Sequence, residues 1–500
     1  MSSTHRRVLG AGIAATAIAA LVAGTPAFAG PGKKPATKGN PNLTSVQVLS
    51  FNDYHGHIEA TDGPLSAIHD PSATPVGGAE YLSTKLTELR AKVGDSKSLT
   101  VAAGDLIGGS PFLSGLFHDE PSVESLNAMG LDVSSVGNHE FDEGTDELLR
   151  MQNGGCHPVD GCYFPDEPYA GADFPWLAAN VIKKSNGRTF LPGTWVKEIS
   201  GTKVGFIGMT LEGTDLLVSP GGISSVTFKD EVETANSAAK KLKKQGVKAI
   251  VVLMHEGGAN AGTYNSCVGI SEPIATMATQ FSPEIDHIVT GHTHNPYVCS
   301  IPDPAGNPRT VTSAADYGRV VTETNLVINR RSGEVDRRRT TSMNHLVTRT
   351  AKDPVQTEVI AKWKALSGEL GAQVVGTHVE DIIGHSDPRS NRAIETPMGN
   401  LVADAILWGT SGDNGGAQIA FMNVGGVRAS LPMAPVAGEG VGNITYAEAY
   451  AVAPFGNLLN TITMTGAQIK AVLEQQYRVS GAGVASTLSI NVSEGFTYTW

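Results

Sequence analysis

The sequence predicts an α/β protein with mainly parallel strands, followed by a second, smaller α/β region. Three observations predict it. Five short β-rich runs each end in a polar cluster, helical segments lie between the runs, and one long helix separates this pattern from a glycine-punctuated C-terminal stretch. Sites in such sheets form beyond the strand C-termini, so the five clusters are expected along one edge. The 500 residues suffice for two or three domains with cores of their own.

The chain opens with an address rather than a fold. His5, Arg6 and Arg7 precede an apolar run over 8–22, and Ala27-Phe28-Ala29 offers a small-x-small cleavage site before Gly30. Fifteen apolar residues are too few for a spanning helix of about 20. A cleaved signal peptide over 1–29 and an exported mature protein are expected, periplasmic, wall-associated or secreted, with no transmembrane anchor. Residues 30–44 read as a flexible leader. The β-rich runs are 45–51, 99–103, 133–136, 249–254 and 287–290, with helices over 78–93, 143–150 and 230–245. A helix over 353–370 starts with Pro354 in its first turn and shows Val355, Val359, Ile360 and Trp363 on one face. Beyond it come a helix over 398–407, a strand over 418–422, a helix over 466–475 and a strand over 495–500. The expected division is 45–348 and 372–500, joined by 349–371.

Composition narrows the function. The net charge is −12, with 40% hydrophobic and 17% charged residues, which excludes a disordered polyelectrolyte and a basic protein binding nucleic-acid polymers. The 58 glycines show no collagen period. Four cysteines suit an oxidising compartment; of three possible pairings, proximity favours Cys156–Cys162 and Cys267–Cys299 over a zinc site, which calls for tighter spacing.

The clusters deliver Asp53, His55, Asp105, Asn138, His255, His292 and His294 to the expected edge. Singly these are turn formers, a helix cap and structural histidines. Jointly they are nitrogen and oxygen donors without thiolate, a set for Zn, Mn, Co or Fe. Seven are too many for one tetrahedral ion and suit two divalent ions sharing a carboxylate. Asp142 is spaced to fix the tautomer of His139, leaving one ring nitrogen for a phosphoryl group or leaving oxygen.

Asn52-Asp53-Tyr54-His55, Gly104-Asp105, Gly137-Asn138-His139-Glu140-Phe141-Asp142, His255 and Gly291-His292-Thr293-His294 resemble the five blocks of a calcineurin-like metallophosphatase. Arg392 with Met398-Gly399-Asn400-Leu401, Asn423-Val424-Gly425-Gly426-Val427-Arg428 and Pro454-Phe455-Gly456-Asn457 resemble the C-terminal domain of exported 5′-nucleotidases. The resemblance implies a four-layer phosphoesterase domain, a connecting helix about which the domains rotate, and a smaller substrate-binding domain. It implies one ion on Asp53, His55 and His294, another on Asn138, His255 and His292, Asp105 bridging both, and attack on phosphorus by a metal-bound water. His139 and Asp142 would form the catalytic dyad. Arg392, Asn423, Gly425, Gly426 and Arg428 would contact the nucleotide substrate, and Phe455 would stack on its base. UDP-sugar and 2′,3′-cyclic-nucleotide hydrolysis are alternatives at the same site. The family's second base-stacking aromatic belongs to a later motif absent before Trp500, so either the second domain is incomplete there or base recognition differs.

Overall fold

A computed structural model describes residues 42–61, 68, 74–387, 389–436, 438–455, 459–479 and 485–499. The chain separates into two units, Met1–Pro41 and Asn42–Trp500, and the fold below is that of the second. The expected signal peptide, Gly456, Asn457 and Trp500 lie outside the described residues.

Two six-stranded sheets organise the first region. One runs edge to edge through Thr341–Leu346, Val320–Asn329, Leu43–Phe51, Ser98–Ala103, Val133–Ser135 and Trp176–Leu177. The other runs through Tyr297–Ser300, Thr310–Ser313, His287–Thr290, Ala249–Met254, Thr202–Met209 and Thr194–Ile199. Their centres are parallel, as expected. Each also carries antiparallel edge strands that no polar cluster announces. The first strand starts at Leu43, inside the expected leader, because it pairs from there with Asn329.

Alternation along the strands builds the layers. In Ala249–Met254, Ala249, Val251 and Leu253 enter the core between the sheets, with Val46, Val48, Leu99 and Val101 of the other sheet. Ile250, Val252 and Met254 point the other way, onto the Glu231–Lys244 and Ile274–Gln280 helices. Both faces are covered, which is why the run is apolar throughout. Leu49 and Phe51 turn outward beneath the Ala79–Val93, Glu120–Met129 and Gly144–Asn153 helices. The result is a four-layer α/β/β/α stack.

The connecting helix is Pro354–Gly371, capped by Asp353, whose side chain accepts from the Val355 N–H. Its buried positions are Gln356, Ile360, Trp363 and Ser367. Val355 is exposed, contrary to its expected place on the apolar face; the packed stripe starts one residue later. Gln356 exchanges hydrogen bonds with Ser125, and Trp363 Nε1 donates to Glu124 Oε2 at 2.8 Å. The helix is thereby fixed to the Glu120–Met129 helix of the first region.

The second region has a small core of Met398, Val427, Leu431 and Val452. Its Pro397–Thr410 and Gly466–Glu474 helices match expectation. The strand expected over 418–422 is shorter and later, Phe421–Asn423, and pairs with Ile490–Val492. The strand expected over 495–500 is absent among the described residues: Gly495 turns the chain at φ 85°, and 496–499 form no ladder. Both favoured disulfides, Cys156–Cys162 and Cys267–Cys299, are present. No helix among the described residues is long and apolar enough to cross a membrane.

Trp363 is fully buried against Phe117, Tyr163 and Phe164. Trp363→Ala is expected to cost about 3–5 kcal/mol of stability, read as a lower urea midpoint with an unchanged m-value.

Candidate active site

All five polar clusters meet where the parallel strands end. The strand ending at Phe51 delivers Asp53 and His55, and the one ending at Ala103 delivers Asp105. The strands ending at Ser135, Met254 and Thr290 deliver Asn138, His255, and His292 with His294. The turns are stitched together: the Asp53 N–H donates to Gly104 O and the His55 N–H to Asp105 O, both at 3.0 Å. Glu140, buried, accepts from the N–H groups of Asp105, Leu106 and Gly137. Gly137 is required by space, since a Cβ there would lie 2.2 Å from Asp105 Oδ1.

Five of the seven donor residues hold left-handed backbone: Asp53 at φ 51°, His55 at 48°, Asp105 at 51°, His292 at 68° and His294 at 56°. None is a glycine, so each position is strained. Such strain persists only where surrounding structure imposes it. Here it turns neighbouring polar side chains into one focus.

The donor atoms converge in overlapping groups: Asp53, His55 and His294; Asp105, His255 and His292; and His55, Asp105 and His139. Asp105 joins the last two, with Oδ2 2.9 Å from His255 Nε2 and 3.7 Å from His55 Nε2. The imidazoles are oriented from behind. His55 Nδ1 donates to Gly108 O and His255 Nδ1 to Ala103 O, both at 2.7 Å, while His294 Nδ1 lies 3.0 Å from Asp316 Oδ2. Each Nε2 is thereby turned inward toward the carboxylates of Asp53 and Asp105. Asn138 Oδ1 is buried without a hydrogen-bond partner, and Asn138 makes no side-chain cap. An orphaned buried oxygen of this kind fits a bound cation.

Electrostatics agree. Burial opposes ionisation of Asp105, yet His255 and His139 beside it hold its carboxyl well below the usual range. Burial of Asp53 is likewise outweighed by His294 and His255. Two buried carboxylates thus demand positive charge. Burial pushes His55 down to about 3 and His292 to about 4, keeping both neutral as ligands must be, whereas against burial Asp105 pushes His255 up to about 10 and Asp53 raises His294, so an ion on these two rings would displace a proton.

The His139–Asp142 pair forms as the spacing implied, Nδ1 to Oδ2 at 2.7 Å. Asp142 does not start the following helix, which is Gly144–Asn153 with Glu143 at its N-cap. The His139 side chain is 25% exposed and that of His294 29%, against 2% or less for His55, Asp105 and His255. A ligand therefore approaches from the His139 and His294 side. Phe455 covers that side, stacked on His139 with centroids 6.1 Å apart and touching the space over Gly109. Arg428 lies 5.6 Å over the Phe455 ring, and its Nη1 donates to Gly425 O. Asn423, Gly425 and Gly426 form the turn that aims it. Arg392 is exposed; it and Arg428 both act on His385, which burial and these cations push down to about 4.

A calcineurin-like phosphoesterase model matches residues 47–296, and a model of the 5′-nucleotidase C-terminal domain matches 374–500. Endonuclease YhcR of Bacillus subtilis is 33% identical over 459 residues, covering 91% of this chain and 34% of that protein. A cell wall protein of Listeria monocytogenes is 32% identical over 452 residues, covering 86% of this chain and 56% of that protein. This chain therefore spans about a third and about half of the lengths of these two relatives. The fold is that of a 5′-nucleotidase precursor from Thermus thermophilus, with a TM-score of 0.65 at 24% identity, covering 90% of this chain and 89% of that one. The chain belongs to the calcineurin-like phosphoesterases with a 5′-nucleotidase C-terminal domain.

Three site groups of this phosphoesterase escape sequence reasoning. Asp316 orients His294. Glu140 frames the Asp105 turn. Tyr317, at φ 60°, stacks on His57 at 3.7 Å, meets His55 and His294 edge-on, and takes a hydrogen bond from Arg428 Nη2 at 3.1 Å. The signal for Glu140 is its place inside the Asn138–Asp142 block; Asp316 and Tyr317 stand in no recognisable motif. Asp316→Ala is expected to weaken divalent-metal binding about 10–100-fold, measured by competition with a chromophoric chelator, with the fold unchanged by circular dichroism.

Proposed function

We propose that this chain is an exported, metal-dependent 5′-nucleotidase. One observation carries the proposal: a donor set for two cations, an oriented His–Asp pair, an aromatic platform and an arginine face the same opening. Asp53, His55 and His294 would hold one ion and Asn138, His255 and His292 the other, with Asp105 shared. Two divalent ions, Zn, Mn, Co or Fe, supply Lewis acidity at phosphorus and activate the attacking water when bound.

The chain's own groups do the rest. Asp142 holds the His139 Nδ1 proton, so Nε2 is the atom that meets a phosphoryl oxygen or the leaving ribose oxygen. Arg428 sets fixed positive charge beside the opening and suits a bidentate phosphate contact. Phe455 offers a π-face to the base, worth about 1–3 kcal/mol and tolerant of base identity. Arg392 and Asn423 complete the rim on the phosphate and ribose side. In this scheme 45–348 carries the metal chemistry, 349–371 connects, and 372–500 selects the substrate. Export is supported by the signal-type pattern over 1–29 and by the two disulfides, which persist in oxidising compartments.

The decisive assay measures product release from AMP, ATP, UDP-glucose, 2′,3′-cyclic AMP and a single-stranded oligonucleotide, with chelator-treated and metal-reloaded protein. Metal-restored phosphate release from AMP is expected. Release from the oligonucleotide alone overturns the nucleotidase assignment. His139→Ala is expected to lower kcat about 10²–10⁴-fold with metal content unchanged. Phe455→Ala is expected to raise KM for AMP about 5–150-fold and to leave p-nitrophenyl phosphate turnover unaffected. An equal loss on both substrates removes the base-platform role.

A further inference from the structure

One buried carboxylate beside the candidate site has no part in the chemistry proposed for it. Asp119 is 6% exposed, and among the described residues no cation pairs with it. Burial pushes its carboxyl above the usual range, against the hydrogen bonds that it accepts. It stands at the N-cap of the Glu120–Met129 helix, yet its side chain caps nothing there. Its backbone is left-handed at φ 60°, where an N-cap is ordinarily extended. The carboxylate is turned away from the helix that it starts. Oδ2 accepts from the Gly108 N–H at 2.8 Å, and Oδ1 accepts from the Ser114 hydroxyl at 2.6 Å. A buried carboxylate without a cation is costly, and these donors are what hold it in place.

Both neighbours of this carboxylate lead to His55. Gly108 O accepts from His55 Nδ1 at 2.7 Å, so a single residue stands between Asp119 and the imidazole. That residue has to be glycine. Its φ is 80°, and a Cβ there would lie 2.5 Å from His139 O and 2.8 Å from Asp142 Oδ2. Gly109 follows at φ 58°, and its Cβ would lie 3.2 Å from the Phe455 ring and 3.6 Å from His55 Nδ1. Paired glycines have more backbone freedom than any other residues. A carbonyl in such a turn aims a ring only if the turn is held from elsewhere, and Asp119 holds it. The second path runs through Gly56, next in sequence to His55. A Cβ on Gly56 would lie 2.7 Å from Asp119 Oδ1 and 2.6 Å from Ser114 Oγ, so the chain leaving His55 is packed on the same carboxylate.

We propose that Asp119 is a positioning residue of the candidate site: by fixing Gly108 it fixes the His55 imidazole as a metal donor. The proposal rests on the metal-dependent reading of the site. Asp119 touches neither ion nor substrate. It aims the ring before an ion arrives, which is how outer hydrogen bonds raise metal affinity. The acceptor matters here rather than the charge. An amide serves as well, with its oxygen on the Gly108 N–H and its NH₂ turned to Ser114 Oγ.

The test measures metal affinity on the full chain. Wild type, Asp119→Gly and Asp119→Asn are stripped with chelator, and zinc binding is read by competition with a chromophoric chelator. Glycine suits the left-handed backbone, so Asp119→Gly removes the carboxylate without adding strain. In Asp119→Gly one zinc-binding step is expected to weaken about 10–100-fold, with an unchanged circular dichroism spectrum. Asp119→Asn is expected to bind zinc as tightly as wild type. A folded Asp119→Gly with wild-type affinity overturns the proposal, whatever its Tm. An equal loss in Asp119→Asn assigns the effect to charge and overturns the route through the Gly108 hydrogen bond. Should Asp119→Gly not fold, Asp119→Ser, whose hydroxyl ends a bond short of Gly108, decides in its place with the same expectation. Zinc affinity in wild type no higher than in an Asp53→Asn/His255→Gln variant overturns the metal site itself, and with it the reading on which the proposal rests.

Discussion

The candidate active site depends on keeping Asp105 ionised where water cannot reach it. The residue is 1% exposed, and burial alone would neutralise it. It stays charged because three kinds of group converge on one carboxylate. The His139 N–H donates to Oδ1, His255 and His55 stand against Oδ2, and Gly137 leaves the space that any side chain would fill. At 4 Å, opposite charges in a protein interact by roughly 4 kcal/mol at an effective dielectric of about 20. Displacing one turn by an ångström therefore affects the charge state of the whole edge.

This constraint explains the backbone. Glu140 spends its carboxylate on the N–H groups of Asp105, Leu106 and Gly137, so two loops from adjacent strands share one acceptor. The left-handed conformations at Asp53, His55, Asp105, His292 and His294 are the steric cost of aiming side chains inward from turns that short. The sheets behind them are rigid: Val101, Leu253 and Val289 pack between the two sheets, so the turns cannot relax by moving the strand ends.

The sequence was informative where a signal is local. Ala249–Met254 is apolar because both its faces are buried, and His255 follows at once. Asp142 lies one short turn from His139, so their pairing was readable from spacing. Signals that depend on tertiary contact were not readable. Val355 looks like core by periodicity but faces solvent, because Gln356 takes the inward position through Ser125. Gly495 reads as the start of a strand, but Ile490–Val492 had already taken the pairing edge offered by Phe421–Asn423. Arg428 and Phe455 carry no local mark of a ligand site, and resemblance alone pointed to them. Asp316 and Tyr317 become significant only when a distant strand places them behind His294 and beside Arg428.

Tyr317 shows how the two halves of the chain share one site. Its amide donates to Asp53 O at 2.7 Å, its ring packs between His57 and the histidines of the donor set, and its hydroxyl receives Arg428. Asp316, its neighbour, holds His294. One four-residue turn thus fixes the His294 imidazole with one side chain and Arg428 with the next. A left-handed tyrosine is an expensive way to build a turn, and a glycine would make the same turn without strain. A glycine, however, could neither buttress the imidazoles nor reach Arg428. The strained residue stands where the backbone must turn and the side chain must span from the first region to the second.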